Sequence, residues 1–85
     1  MKIKIVLKQY GTDFYPVAKT PYLYEDLSEG FALPLGEAKA EPNEEQGKCL
    51  FTLLGKTVEL SLGKTSYPSF YVGDEHYELE LTLEK

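Results

Sequence analysis

Few side chains in this sequence are equipped for chemistry. His76 is the only histidine, and it lies among Asp74, Glu75 and Glu78. A zinc site needs several ligands converging on one ion, usually with a second histidine or cysteine. One imidazole with carboxylates one or two residues away does not supply that set from one face of a strand. General acid–base work by His76 needs a nucleophile to serve, and none is marked nearby. Cys49 is the only cysteine. A Cys49–His76 dyad requires the two within hydrogen-bond reach and a third group orienting the ring. Gly55-Lys56-Thr57 and Gly63-Lys64-Thr65 echo the end of a phosphate-binding loop, but that motif needs a glycine five residues upstream. Leu50 and Val58 stand there instead. The sequence therefore predicts no catalytic residue, no bound metal and no cofactor.

Aromatic residues are the more suggestive feature. Seven tyrosines and four phenylalanines accompany no tryptophan. Tyr15, Tyr22, Tyr24, Tyr67 and Tyr71 fall in or near the less regular segments. Tyrosine is a rigid, amphipathic ring favoured on binding surfaces, and it also suits half-buried strand faces. Candidate contact residues are Tyr71, His76, Tyr67, Tyr22 and Tyr24, with Glu44 and Glu45 from the most polar stretch of the chain.

Nine lysines against fourteen acids give a net charge of −5, and the chain contains no arginine. Without the residue best suited to bidentate phosphate and guanine contacts, direct nucleic-acid binding is not expected. An acidic chain can instead mimic phosphates in a basic cleft, although −5 is modest and solvated strand faces account for it equally well. The beginning of the chain lacks the pattern of a signal peptide, and no apolar run approaches the roughly 18–20 residues of a membrane-spanning helix. A single cysteine suits a reducing compartment, so a cytoplasmic location away from membranes is expected.

These residues must be held by strands. In residues 1–8, Met1, Ile3, Ile5 and Leu7 share one face opposite Lys2, Lys4 and Lys8. Near the other end, Tyr77, Leu79, Leu81 and Leu83 alternate with His76, Glu78, Glu80, Thr82 and Glu84. Period two means one apolar and one polar face per strand. Lysines on one strand and glutamates on the other predict neighbouring terminal strands joined by cross-strand ion pairs. A hairpin turning at Gly55-Lys56 as a type II′ turn pairs Leu53 with Val58, Phe51 with Leu60 and Cys49 with Leu62. A second, turning at Gly73-Asp74, sets Phe70 opposite Tyr77 and Tyr71 opposite His76; a three-residue loop there exchanges the faces. Thr12–Ala18 reads as a short strand broken at Pro16, and Phe31–Leu35 as a short edge strand. The segment 21–29 fits a two-turn helix opened by Thr20-Pro21 and closed by Gly30. The alternation of Tyr22, Leu23 and Tyr24 fits a strand equally. Residues 36–48, with four glutamates and no apolar side chain larger than alanine, read as a long acidic loop.

The fold expected is all-β: one domain over 1–85, a small antiparallel meander forming a sandwich or open barrel of five to seven strands, with or without one short helix near 21–29. The function expected is a non-enzymatic binding protein, such as a phage or other mobile-element inhibitor of a host defence protein. Its target is a protein, or a small nucleotide-like ligand that stacks on tyrosine and meets Lys56 or Lys64. The alternative is a structural subunit of a homo-oligomeric assembly, for example a phage particle component, that associates through edge strands.

Overall fold

The computed structural model describes residues 1–10, 16–27 and 30–85, with backbone alone for 16–18. Nine strands follow in order: β1 Lys2–Tyr10, β2 Pro16–Tyr24, β3 Phe31–Leu33, β4 Gly36–Asn43, β5 Lys48–Leu53, β6 Lys56–Ser61, β7 Thr65–Ser66, β8 Ser69–Val72 and β9 Glu75–Glu84. They form two antiparallel sheets. The first runs β2-β1-β9-β7, with β8 also on β9, and the second runs β3-β4-β5-β6. Alternation supplies each sheet with one apolar face, and the two faces close on a common core. Ile3, Ile5, Leu79, Leu81 and Leu83 enter it from the first sheet, and Ala38, Phe51, Leu53 and Leu60 from the second. Among the described residues no polar or charged residue is buried.

The terminal strands are neighbours, as the charge pattern predicts. β1 and β9 pair from Lys2↔Glu84 to Tyr10↔His76. Across that seam Lys4 lies 3.8 Å from Glu84 and Lys8 lies 3.5 Å from Glu78, while Lys8 also bonds Glu80. The β8–β9 hairpin turns at Gly73-Asp74 with Gly73 at φ +61°, and pairs Phe70 with Tyr77 and Tyr71 with His76. This is the register of the two-residue loop.

Of the two readings offered for 21–29 the strand prevails, and the loop at 36–48 and the turn of the β5–β6 hairpin are corrected. The segment 21–29 forms no helix where it is described: β2 runs through Tyr24, and residues 28 and 29 lie outside the described set. Its Tyr-Leu-Tyr alternation prevails because strand pairing with β1 directs Tyr22 and Tyr24 toward the core and Leu23 outward. Of the expected 12–18 strand, residues 16–18 lie in β2, and residues 12–15, Tyr15 among them, lie outside the described residues.

The acidic stretch 36–48 is mostly strand. β4 sits inside its sheet between β3 and β5, and the loop shrinks to the turn 44–47. Its buried face is built from alanines: Ala38 is fully buried and Ala40 packs against the core, while Glu37, Lys39 and Glu41 point out. With that strand and the two-residue β7, the total becomes nine rather than five to seven.

The β5–β6 hairpin turns one residue earlier than a type II′ turn at Gly55-Lys56 requires. Leu54 (φ 51°) and Gly55 (φ 76°) both adopt left-handed backbone, the signature of a type I′ loop. Phe51 therefore pairs with Val58 and Cys49 with Leu60, while Leu53 faces Lys56. Each partner moves by two positions, so the inward and outward faces are unchanged. Leu62 is released from the hairpin: its N–H donates to the Gly47 carbonyl at 2.8 Å, and it bridges to Leu83 in the other sheet.

Candidate functional site

The registers of β1, β9 and β8 set one residue from each strand in a row across the outer face of the first sheet. Tyr10 stands opposite His76, and His76 opposite Tyr71. Their rings stack like plates. The Tyr10–His76 centroids are 5.1 Å apart at 24°, and those of Tyr71 and His76 are 4.7 Å apart at 10°. His76 is thus held between two aromatic faces, and both of its ring nitrogens are shielded without a hydrogen-bond partner. Tyr71 ends the row at 72% exposure. Beyond it no further strand pairs with β8.

Among the described residues neither His76 ring nitrogen has a hydrogen-bond partner. Cys49 lies on the inner face of the other sheet, 1% exposed, so the two residues of the notional dyad occupy opposite sides of a sheet. Burial pushes the Cys49 thiol up from its ordinary value, which keeps it protonated and a poor nucleophile. Among the described residues no three His, Cys, Asp or Glu side chains converge as a metal site would require, and no helix is long and apolar enough to cross a membrane.

Several of the neighbouring charges are paired. Lys8 lies between Glu78 and Glu80. Its hydrogen bond to Glu80 raises the lysine and holds the glutamate below the usual carboxylate range. Glu75 accepts a hydrogen bond from the Tyr77 hydroxyl, and that bond is the leading reason the phenol is raised. Asp74, at the exposed tip of the hairpin, has no ion-pair partner among the described residues.

The other candidate residues lie elsewhere. Tyr22 and Tyr24 face inward at the edge of the sandwich, where β2 meets β3. Tyr24 stacks on Phe31 with centroids 4.0 Å apart, and its hydroxyl donates to the Ala32 carbonyl at 3.3 Å. Phe31 in turn meets Phe51 at 6.2 Å, so this ladder runs into the core. Burial raises the Tyr24 phenol above its ordinary value. These two rings pack one sheet onto the other. Tyr67, 61% exposed, lies in the short link between β7 and β8, next to buried Pro68.

Glu44 and Glu45 are exposed in the β4–β5 turn, on the second sheet, with Glu44 3.5 Å from the Met1 amino group. Beside that turn an open groove of about 310 Å³ is lined by Glu41, Asn43, Gln46, Lys48, Leu50 and Glu59, among others. Its lysine is paired with Glu59 at 3.3 Å. The structure thus joins Tyr71 to His76, and separates both from Tyr22 and Tyr24 and from the glutamates.

Tyr10 completes the row and was not singled out by its sequence context. The signal for it lies in the charges: aligning Lys2 with Glu84 and Lys8 with Glu78 carries Tyr10 opposite His76. Phe31 and Phe51 were likewise invisible as partners of Tyr24, because they come from the other sheet. No protein-family model, curated protein or solved structure matches the chain.

Proposed function

We propose that this chain is a non-catalytic binding protein of the cytoplasm that engages a partner protein through the Tyr10–His76–Tyr71 row and the adjoining hairpin tip. The observation that carries this reading is Tyr71: a large ring, 72% exposed, locked in orientation by its stack on His76. An ordered aromatic side chain loses little conformational freedom on contact, which is what makes tyrosine an effective anchor. A small module of this kind acts by occupying or sequestering its target, and inhibition of a host defence protein by a phage or other mobile element is the biological setting that suits it.

The rival reading, an assembly subunit joined by edge pairing, meets three edges that discourage it and leaves β6 as the one without such a feature among the described strands. β2 carries Pro16, Lys19 and Pro21; β3 is three residues long and is followed by Pro34; β8 has four residues behind Pro68. Affinity capture from the source organism's lysate tests the proposal. Wild type should retain one target, which is lost with Tyr71→Ala and kept when Glu44 and Glu45 are changed to glutamine. Retention by Tyr71→Ala, or growth of the purified chain into large species on sedimentation, would overturn it.

A further inference from the structure

Resting on the reading of the tyrosine row as the contact surface, we infer that Tyr71 receives an arginine side chain of the partner, with the guanidinium stacked on the open ring face and bonded to Asp74. One face of Tyr71 stacks on His76, and among the described residues no other ring stacks on it. The residue before it shows what a ring on this strand does when a cation is in reach. Lys56 lies over Phe70 with Nζ 5.4 Å from the centroid, while donating to the Ser69 carbonyl. Phe70 and Tyr71 alternate to opposite faces of the sheet. Lys56 therefore serves the inner ring, and among the described residues no lysine lies over the outer one.

The charges around Tyr71 select among planar ligands. Asp74, two residues before His76, has no ion-pair partner among the described residues, and Glu78 lies diagonally across from Tyr71 on the same face. Lys8 is held by Glu78 and Glu80, and the exposed Lys19 stands beyond it on β2. A nucleotide could stack its base here but would bring its phosphate toward Asp74, while Lys19 stands three strands away on β2. A guanidinium is planar, stacks flat on a tyrosine face, and keeps its N–H donors in the plane where a neighbouring carboxylate can accept them. An ammonium is a point charge and cannot do both as well. No arginine in this chain competes for the position.

Titration of the ¹⁵N-labelled full chain at physiological salt decides the matter. The probes are a short Arg-Gly repeat peptide, its Lys-Gly and Phe-Gly counterparts, and AMP. The arginine peptide should shift the resonances of Tyr71, Asp74 and His76, and bind more tightly than the lysine peptide. Tyr71→Ala and Asp74→Asn should each weaken it by about two- to fivefold, in spectra otherwise like wild type. If AMP or the phenylalanine peptide shifts these resonances and the arginine peptide does not, the cation inference fails while the row stands as a binding surface. Arginine-induced shifts spread evenly over Glu44, Glu45 and the hairpin also overturn the inference, as does the absence of any shift in the row. The capture experiment above is judged separately, since it depends on Tyr71 and not on the chemistry of what Tyr71 touches.

Discussion

Two tyrosines that look alike in sequence should respond oppositely to truncation. Tyr24→Ala removes a half-buried ring stacked on Phe31 at 4.0 Å and near Tyr22 at 6.3 Å. Roughly 100 Å² of apolar surface at about 25 cal/mol per Å² is worth about 2.5 kcal/mol. The ring pairing adds about 0.5–1 kcal/mol, and the exposed 3.3 Å hydrogen bond to Ala32 adds a few tenths at most. The expected loss is about 3–4 kcal/mol, or a fall in Tm of roughly 12–32 °C for a domain of this size. Tyr71→Ala removes a ring already 72% in solvent, so its loss should be about 1 kcal/mol or less. Urea denaturation monitored by circular dichroism measures both through the midpoint, provided the slope is unchanged. Tyr24→Phe, which keeps the ring, should stay within about 0.5 kcal/mol of wild type. Equal losses for the two alanine variants, or a Tyr24→Ala protein as stable as wild type, would refute the assignment of Tyr24 to packing and Tyr71 to contact.

Three further outcomes are expected. Leu54→Asn should raise stability by about 0.5–1 kcal/mol, because an Asn-Gly pair accepts the left-handed backbone that leucine adopts at φ 51°; a lower urea midpoint would count against the type I′ assignment. Stability should fall on both sides of a neutral plateau. Cys49 and Tyr24 are raised by burial, so their contribution is complete below the ordinary values of about 9 and 10 and is lost as pH rises through the folded values. Glu80, lowered by its bond from Lys8, contributes above its ordinary value of about 4.5 and loses that contribution as pH falls through its folded value. Glu80→Gln should flatten the acid limb in pH-dependent unfolding curves. Finally, iodoacetamide should label Cys49 in the native protein only as fast as the fold opens, and rapidly in denaturant; prompt native labelling would contradict its burial.

Alternation was sufficient to identify the strands at both ends, because a two-residue period leaves only one way to bury leucine and isoleucine while solvating lysine and glutamate. Opposite charges on those strands were enough to make them neighbours. The β8–β9 register followed from Gly73-Asp74, since a two-residue loop there puts apolar Phe70 and Tyr77 on one side. The β4 strand was hidden because its buried positions hold Ala38 and Ala40, whose small side chains contribute almost no hydropathic signal. The helix-like reading of 21–29 rested on caps and an i/i+4 leucine pair, local preferences that pairing with β1 overrides.

What the amino-acid order indicated by itself was therefore which residues face inward in the terminal strands, that those strands adjoin, and, for a two-residue loop at Gly73-Asp74, that His76 and Tyr71 stand opposite each other. The tertiary structure alone decided that Tyr10 joins them, that Tyr22 and Tyr24 are spent on closing the sandwich, and that Glu44 and Glu45 lie on the other sheet. The physical reason is range. Side-chain alternation and turn chemistry act over a few residues, whereas which face of which sheet a tyrosine occupies depends on how two sheets bury a shared core.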